Sequence, residues 1–201
     1  MTTTVTKIME KVFSEYEVRR IHAIFPALSE TEQPEVGTIK CVGSMEEASD
    51  VIKVVKKCRG VVVKTKTRGT GTGTLKLTLH IPWALYVRIN ALDADKELIE
   101  GVNAYGRKSI HPEFCLTADV FDEDDVEKFK AWPRCNATTG PARKVENGAE
   151  EVAEIDLELS FMPDDYENGM YEALASDLKD ETVKSAWLES FDPSMVHVTE
   201  A

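Results

Sequence analysis

The stretch that most constrains the fold is Arg59 to Pro82, RGVVVKTKTRGTGTGTLKLTLHIP. Val61, Val63, Thr65 and Thr67 alternate with Val62, Lys64, Lys66 and Arg68, and Leu75, Leu77, Leu79 and Ile81 alternate with Lys76, Thr78 and His80. A period of two belongs to an antiparallel ribbon with one buried face. Gly69, Gly71 and Gly73 can supply the positive-φ positions of a turn or bulge, so the stretch predicts two strands joined by a glycine-threonine turn.

Charge is the second constraint. The chain carries a net charge of −12, unevenly placed. Residues 1–100 hold 15 Lys+Arg against 13 Asp+Glu (+2), and residues 101–201 hold 9 against 23 (−14). Between Asp50 and Asp93 there is no acid but nine Lys or Arg. The overall balance argues against sequence-independent nucleic-acid affinity. A basic segment on an acidic chain fits head-to-tail contact between identical copies, which builds rings or filaments. Arg59, Lys64, Lys66 and Arg68 are therefore the expected subunit interface.

Around this stretch the pattern predicts mostly strands. Val18–Leu28 and Thr38–Val42 are expected strands, with a polar loop at 29–37 between them. Ser44–Lys57 combines a capping-box pair, Ser44 and Glu47, with β-branched Val51, Ile52, Val54 and Val55; a turn followed by a strand is expected. Trp83–Leu92, after Pro82, predicts a helix covering one sheet face. Glu113–Asp122, Val126–Thr138 and Val152–Met162 predict strands, with a loop around Asn147-Gly148. Met170–Asp177 and Glu181–Phe191 predict short helices. Residues 1–17 suggest an arm or short helix. One domain over 1–201 is expected: a possible arm at 1–35, a long hairpin at 59–82 and a helical part at 163–201.

The strand at 152–162 has a wet face. Glu154, Asp156 and Glu158 alternate with Ile155, Leu157 and Leu159, and are too many acids for an apolar core. That face is therefore expected to be wet.

Little points to catalysis or a cofactor. The four histidines lack metal-ligand spacing, and Cys41, Cys58, Cys115 and Cys135 contain no Cys-x-x-Cys pair and are expected as free thiols. The glycine run lacks a following Lys-Ser/Thr, no serine lies in Gly-x-Ser-x-Gly, and Asp119–Glu127 departs from calcium-loop spacing. No apolar run approaches the roughly 18 residues of a membrane span, and the start MTTTVTKIMEKVFSEYE lacks a secretory pattern.

Taken together, VVVKTKTRGTGTGTLKLTLHIP, GPARKVENGAEEVAEIDLELSFMPDDYENGMYEAL and DETVKSAWLESFDPSMV resemble segments of the major tail proteins of long-tailed bacteriophages, across roughly residues 36–195. The resemblance implies a mainly β fold, an antiparallel sandwich or barrel-like core with a flanking helix and short C-terminal helices. It implies hexameric rings stacking into a hollow tail tube and a hairpin reaching the neighbouring ring; in the channel of such a tube a carboxylate lining would repel phosphate, so Glu154, Asp156 and Glu158 are the expected lumen residues. The implied partners are further copies of the chain, a tape-measure protein, and tail terminator and distal tail proteins, with transient passage of DNA and no membrane. The implied location is the virion tail, assembled in the host cytoplasm. Related folds form the tubes of contractile tails, tailocins and type VI secretion machines, which are alternative contexts. A soluble binding module or enzyme with a site invisible in sequence is the competing class.

Overall fold

The computed structural model describes residues 12–27 and 32–198. The arm or helix expected over 1–17 lies outside these for residues 1–11, as do Leu28 and the loop's first residues, 29–31.

The fold is mainly β and antiparallel. Its strands are β1 (Glu17–Phe25), β2 (Glu35–Ile39), β3 (Cys41–Cys58), β4 (Val61–His80), β5 (Phe114–Phe121), β6 (Glu127–Ala137), β7 (Ile155–Met162) and β8 (Tyr171–Leu174). Helix α1 (Trp83–Ile89) follows β4, and α2 (Glu181–Ala186) and a 3-10 turn (Pro193–Val196) follow β8. The sheet order is β2-β1-β5-β6-β7-β4-β3, and β8 joins β6 beyond the end of β7. The two outermost strands, β2 and β3, are separated by Lys40 alone. One extended run thus pairs with β1 through its first part and with β4 through its second, which closes the sheet into a barrel-like form.

The period of two explains the core. Ile21, Ala23 and Phe25 of β1, Leu75, Leu77 and Leu79 of β4, Leu116 and Ala118 of β5, and Leu157, Leu159 and Phe161 of β7 converge on one buried cluster. Leu85 and Ile89 of α1 pack against it. Fully burying each large side chain contributes roughly 1.5–3 kcal/mol before chain entropy is set against it. A second layer covers the outer face of β1, β5 and β6, where Trp187 and Phe191 pack on Ile24, Phe129 and Ala131. Strand β5 is therefore buried on both faces, polar residues included. The Thr117 hydroxyl donates to the Leu188 carbonyl at 2.6 Å, and the buried Asp119 accepts from the Arg20 backbone and guanidinium. The cover stops at β6 and β8, leaving the outer face of β7, β4 and β3 open and its alternation intact.

Several expectations need correction. The glycine-threonine run is not a turn: β4 is one strand from Val61 to His80. The turn lies at Arg59-Gly60, with φ of 50° and 82°, as a two-residue hairpin loop requires, and the hairpin joins β3 to β4. The run Gly69–Gly73 forms a bulge instead, where Thr70–Thr72 oppose Asp50 and Gly71 has φ of 76°. Thr70 and Thr72 hydroxyls bond the Asp50 carbonyl and carboxylate, which holds the strand through the bulge. The turn expected near Ser44 is absent, since β3 is continuous from Cys41, and β2 starts at Glu35 rather than Thr38.

Met170–Asp177 is not a helix. Its centre forms β8 on Lys128–Ala131, because β6 offers a free edge past β7. The 163–201 part is therefore only partly helical. The loop expected around Asn147-Gly148 is present: it turns there, with Gly148 at φ of 75°, within the long connection 138–154 between antiparallel β6 and β7. Both helices are shorter than expected: Asn90 caps α1, and α2 starts on Asp180, whose side chain accepts from the Thr182 and Val183 amides.

Candidate assembly surfaces

Beyond the bulge, residues 61–69 of β4 pair only with residues 51–58 of β3. The result is an exposed two-stranded ribbon of roughly 25 Å, at about 3.3 Å per residue. An isolated hairpin of this kind is marginal in water. This one also exposes seven large aliphatic side chains, Val51, Ile52, Val54, Val55, Val61, Val62 and Val63, each at least 39% exposed. Such a concentration on one projecting element is a contiguous apolar patch rather than scattered surface residues.

The register places the expected interface residues. Arg59 sits in the turn. Arg68 lies opposite Ile52, Lys66 opposite Val54 and Lys64 opposite Lys56, and paired residues share a face. One ribbon face therefore carries Lys56, Lys64, Lys66 and Arg68 with Ile52 and Val54 between them. Lys56 was missed in the sequence because only the register brings it there. Two ammonium groups directly opposed across a ladder destabilise it. Among the described residues, none of these cations forms an ion pair.

The ribbon root is built closely. A Cβ on Gly169 would lie 1.8 Å from the Gly71 carbonyl oxygen, and one on Gly73 would lie 2.3 Å from both the Ala48 carbonyl oxygen and the Phe161 ring. The loop that brings Gly169 to Gly71 is held by Asp164, which accepts from the Tyr166 and Asn168 amides at 2.9 and 3.0 Å. The Tyr171 hydroxyl donates to Asp164 at 2.6 Å and lies 3.0 Å from His197 Nε2. Burial first, then the bond to Asp164, pushes this phenol up to about 12.

The expected lumen acids come together on the open outer face. Asp156 and Glu158 project from β7 away from buried Leu157 and Leu159, and exposed Glu154 immediately precedes the strand. Asp156 accepts from the Thr78 hydroxyl at 3.1 Å. Glu158 lies across from Lys76, and Lys76 lies across from Glu46 of β3. The face is acidic but not uniformly so.

A third cluster sits inside the barrel. The Lys130 ammonium is 2.7 Å from Glu47 of β3 and 3.0 Å from Glu15, and lies 5.6 Å from the Trp132 ring centre. Burial alone would raise the Glu15 carboxyl, but Lys128 and Lys130 hold it below its ordinary value. Among the described residues, no group of three or more His, Cys, Asp or Glu is placed to hold a metal ion. Among them, too, no helix is long and apolar enough to cross a membrane.

No protein-family model matches the chain, and no curated protein matches it. Among solved structures, it is similar to a chain of the six-fold symmetrised anti-feeding prophage (AFP) baseplate, at 9% identity, covering 83% of this chain and 97% of that one, with a TM-score of 0.41. It is also similar to a chain of the AFP tube-terminating cap, at 12% identity, covering 87% and 99%, with a TM-score of 0.40. At these identities and scores the likeness fixes neither the fold nor the role of this chain.

Proposed function

We propose that this protein is a structural subunit that assembles into rings stacked as a hollow tube of the phage-tail type. The observation that carries the reading is the ribbon: an apolar and cationic two-stranded element, marginal alone, projecting from a body whose C-terminal half is strongly acidic. A neighbouring copy supplies what it lacks, burial for its valines and carboxylates for its ammonium groups. The segment resemblance to major tail proteins supports the same reading and adds its detail: six copies per ring, a tape-measure protein inside the growing tube, terminator and distal proteins at its ends, and passage of DNA on ejection. Tubes of tailocins or type VI-like machines share this architecture and differ in cargo. A very long helical tape-measure gene close by points to a tail rather than a secretion tube.

The test is sedimentation of the purified chain over a range of concentrations, alone and with a tape-measure fragment. Hexamers or longer polymers are expected. A species that stays monomeric even with the fragment and initiating partners present refutes the reading.

A further inference from the structure

We infer that the cationic ribbon face docks on the acidic outer face of β7 in a second copy, with Lys64, Lys66 and Arg68 set against Glu154, Asp156 and Glu158. The inference rests on the self-assembly reading and adds to it the receiving surface.

Three observations carry it. The first is spacing. The cations sit at i, i+2 and i+4 on β4; Asp156 and Glu158 sit two apart on β7, and Glu154, just ahead of the strand, holds its carboxylate beside Gly43 of β3 on the same open side. Alternate residues of a strand are about 6.6–6.8 Å apart, so two extended strands laid face to face keep two opposite charges in step, with Glu154 beside them to meet the third cation. The second is availability. Among the described residues neither set forms an ion pair of its own, and the C-terminal cover that buries β5 and β6 stops short of β7. The third is relief of repulsion. Lys56 and Lys64 oppose each other across the ribbon, and an acidic platform removes that penalty while letting Ile52 and Val54 leave water.

The arrangement gives these acids a role other than lining a lumen. Lys76, between Glu158 and Glu46, breaks what would have to be a continuous negative field. The cross-strand row Glu46–Lys76–Glu158 instead fixes which strand is covered, because an incoming strand displaced sideways onto β4 meets Lys76 with its own cations.

The experiment is a charge swap read by sedimentation. Ribbon variant Lys64→Glu/Lys66→Glu/Arg68→Glu and face variant Glu154→Lys/Asp156→Lys/Glu158→Lys should each raise the concentration for half-assembly by about tenfold or more. Combining all six should restore assembly to near wild type. The neutral ribbon variant Lys64→Gln/Lys66→Gln/Arg68→Gln should weaken it less than the reversal, and circular dichroism checks that each monomer folds. Wild-type polymers with no rescue by the combined variant overturn the docking and leave the tube reading standing. Rescue that yields only a closed two-fold dimer supports the docking and refutes the tube. If the ribbon reversal leaves assembly intact but abolishes retention of duplex DNA, the ribbon is a nucleic-acid contact and the inference is wrong.

Discussion

Replacing Lys130 by methionine tests how the barrel is closed. The Lys130 side chain is 5% exposed, and its ammonium bridges Glu47 of β3, itself 16% exposed, and Glu15 ahead of β1. Lys130→Met keeps most of the volume and removes the charge. Glu15 retains Lys128 at 2.6 Å and is 40% exposed, so its loss is small. Glu47 has no other ion-pair partner among the described residues and must keep a carboxylate poorly solvated. Breaking a buried pair from one side costs about 3–5 kcal/mol. The residual exposure of Glu47 favours the low end, about 3 kcal/mol. With an m-value of ~3 kcal/mol/M in urea, the midpoint should fall by ~1 M at unchanged slope. The double variant Lys130→Met/Glu47→Met should return to within about 1 kcal/mol of wild type, because no orphaned charge remains. A single variant within about 0.5 kcal/mol of wild type, or a double variant no more stable than the single, refutes the reasoning.

Gly73→Ala should cost about 1–3 kcal/mol by urea titration, because its methyl group meets the Ala48 carbonyl and the buried Phe161 ring at 2.3 Å; an unchanged midpoint contradicts that packing. An aromatic disulfide reagent should label exposed Cys41 and Cys58 quickly in the native monomer. It should reach half-buried Cys115, pushed up to about 12 by burial, slowly, and buried Cys135 only on unfolding. Buried His22 is held below its ordinary 6.5 by desolvation, so the fold favours its neutral form. Its contribution is fully present above pH 6.5 and is lost as pH falls through the depressed folded value; His22→Gln should flatten that part of the stability profile.

Strand β7 was legible because one of its faces is buried and the other is wet, so composition alternates with geometry. Strands β1, β5 and β6 were also located, but the burial of β5 on both faces was not: its cover comes from Trp187 and Phe191, far along the chain. The β3–β4 turn was misplaced because the glycine-threonine run is a stronger local signal than Arg59-Gly60. What overrides it is the pairing of Val51–Cys58 with Val61–Gly69, which a local pattern cannot show. Helix-forming residues around Glu172 and Ala173 suggested a helix, and the free edge of β6 made a strand. At the candidate surfaces, residue type was readable and register was not. Lys64, Lys66 and Arg68 were visible as a cationic face, but Lys56 joined them only through the ladder, and Lys76 entered the acidic face the same way. The interior Lys130 cluster left no local signature, since Glu15, Glu47 and Lys130 are distant in the chain.

Negative-stain electron microscopy of the purified, concentrated chain tests the central claim most directly. Six-fold rings with an open centre, and rods built from stacked rings, are the result the account predicts. Fields of single compact particles at every concentration, unchanged when a tape-measure fragment and initiating partners are added, would contradict it.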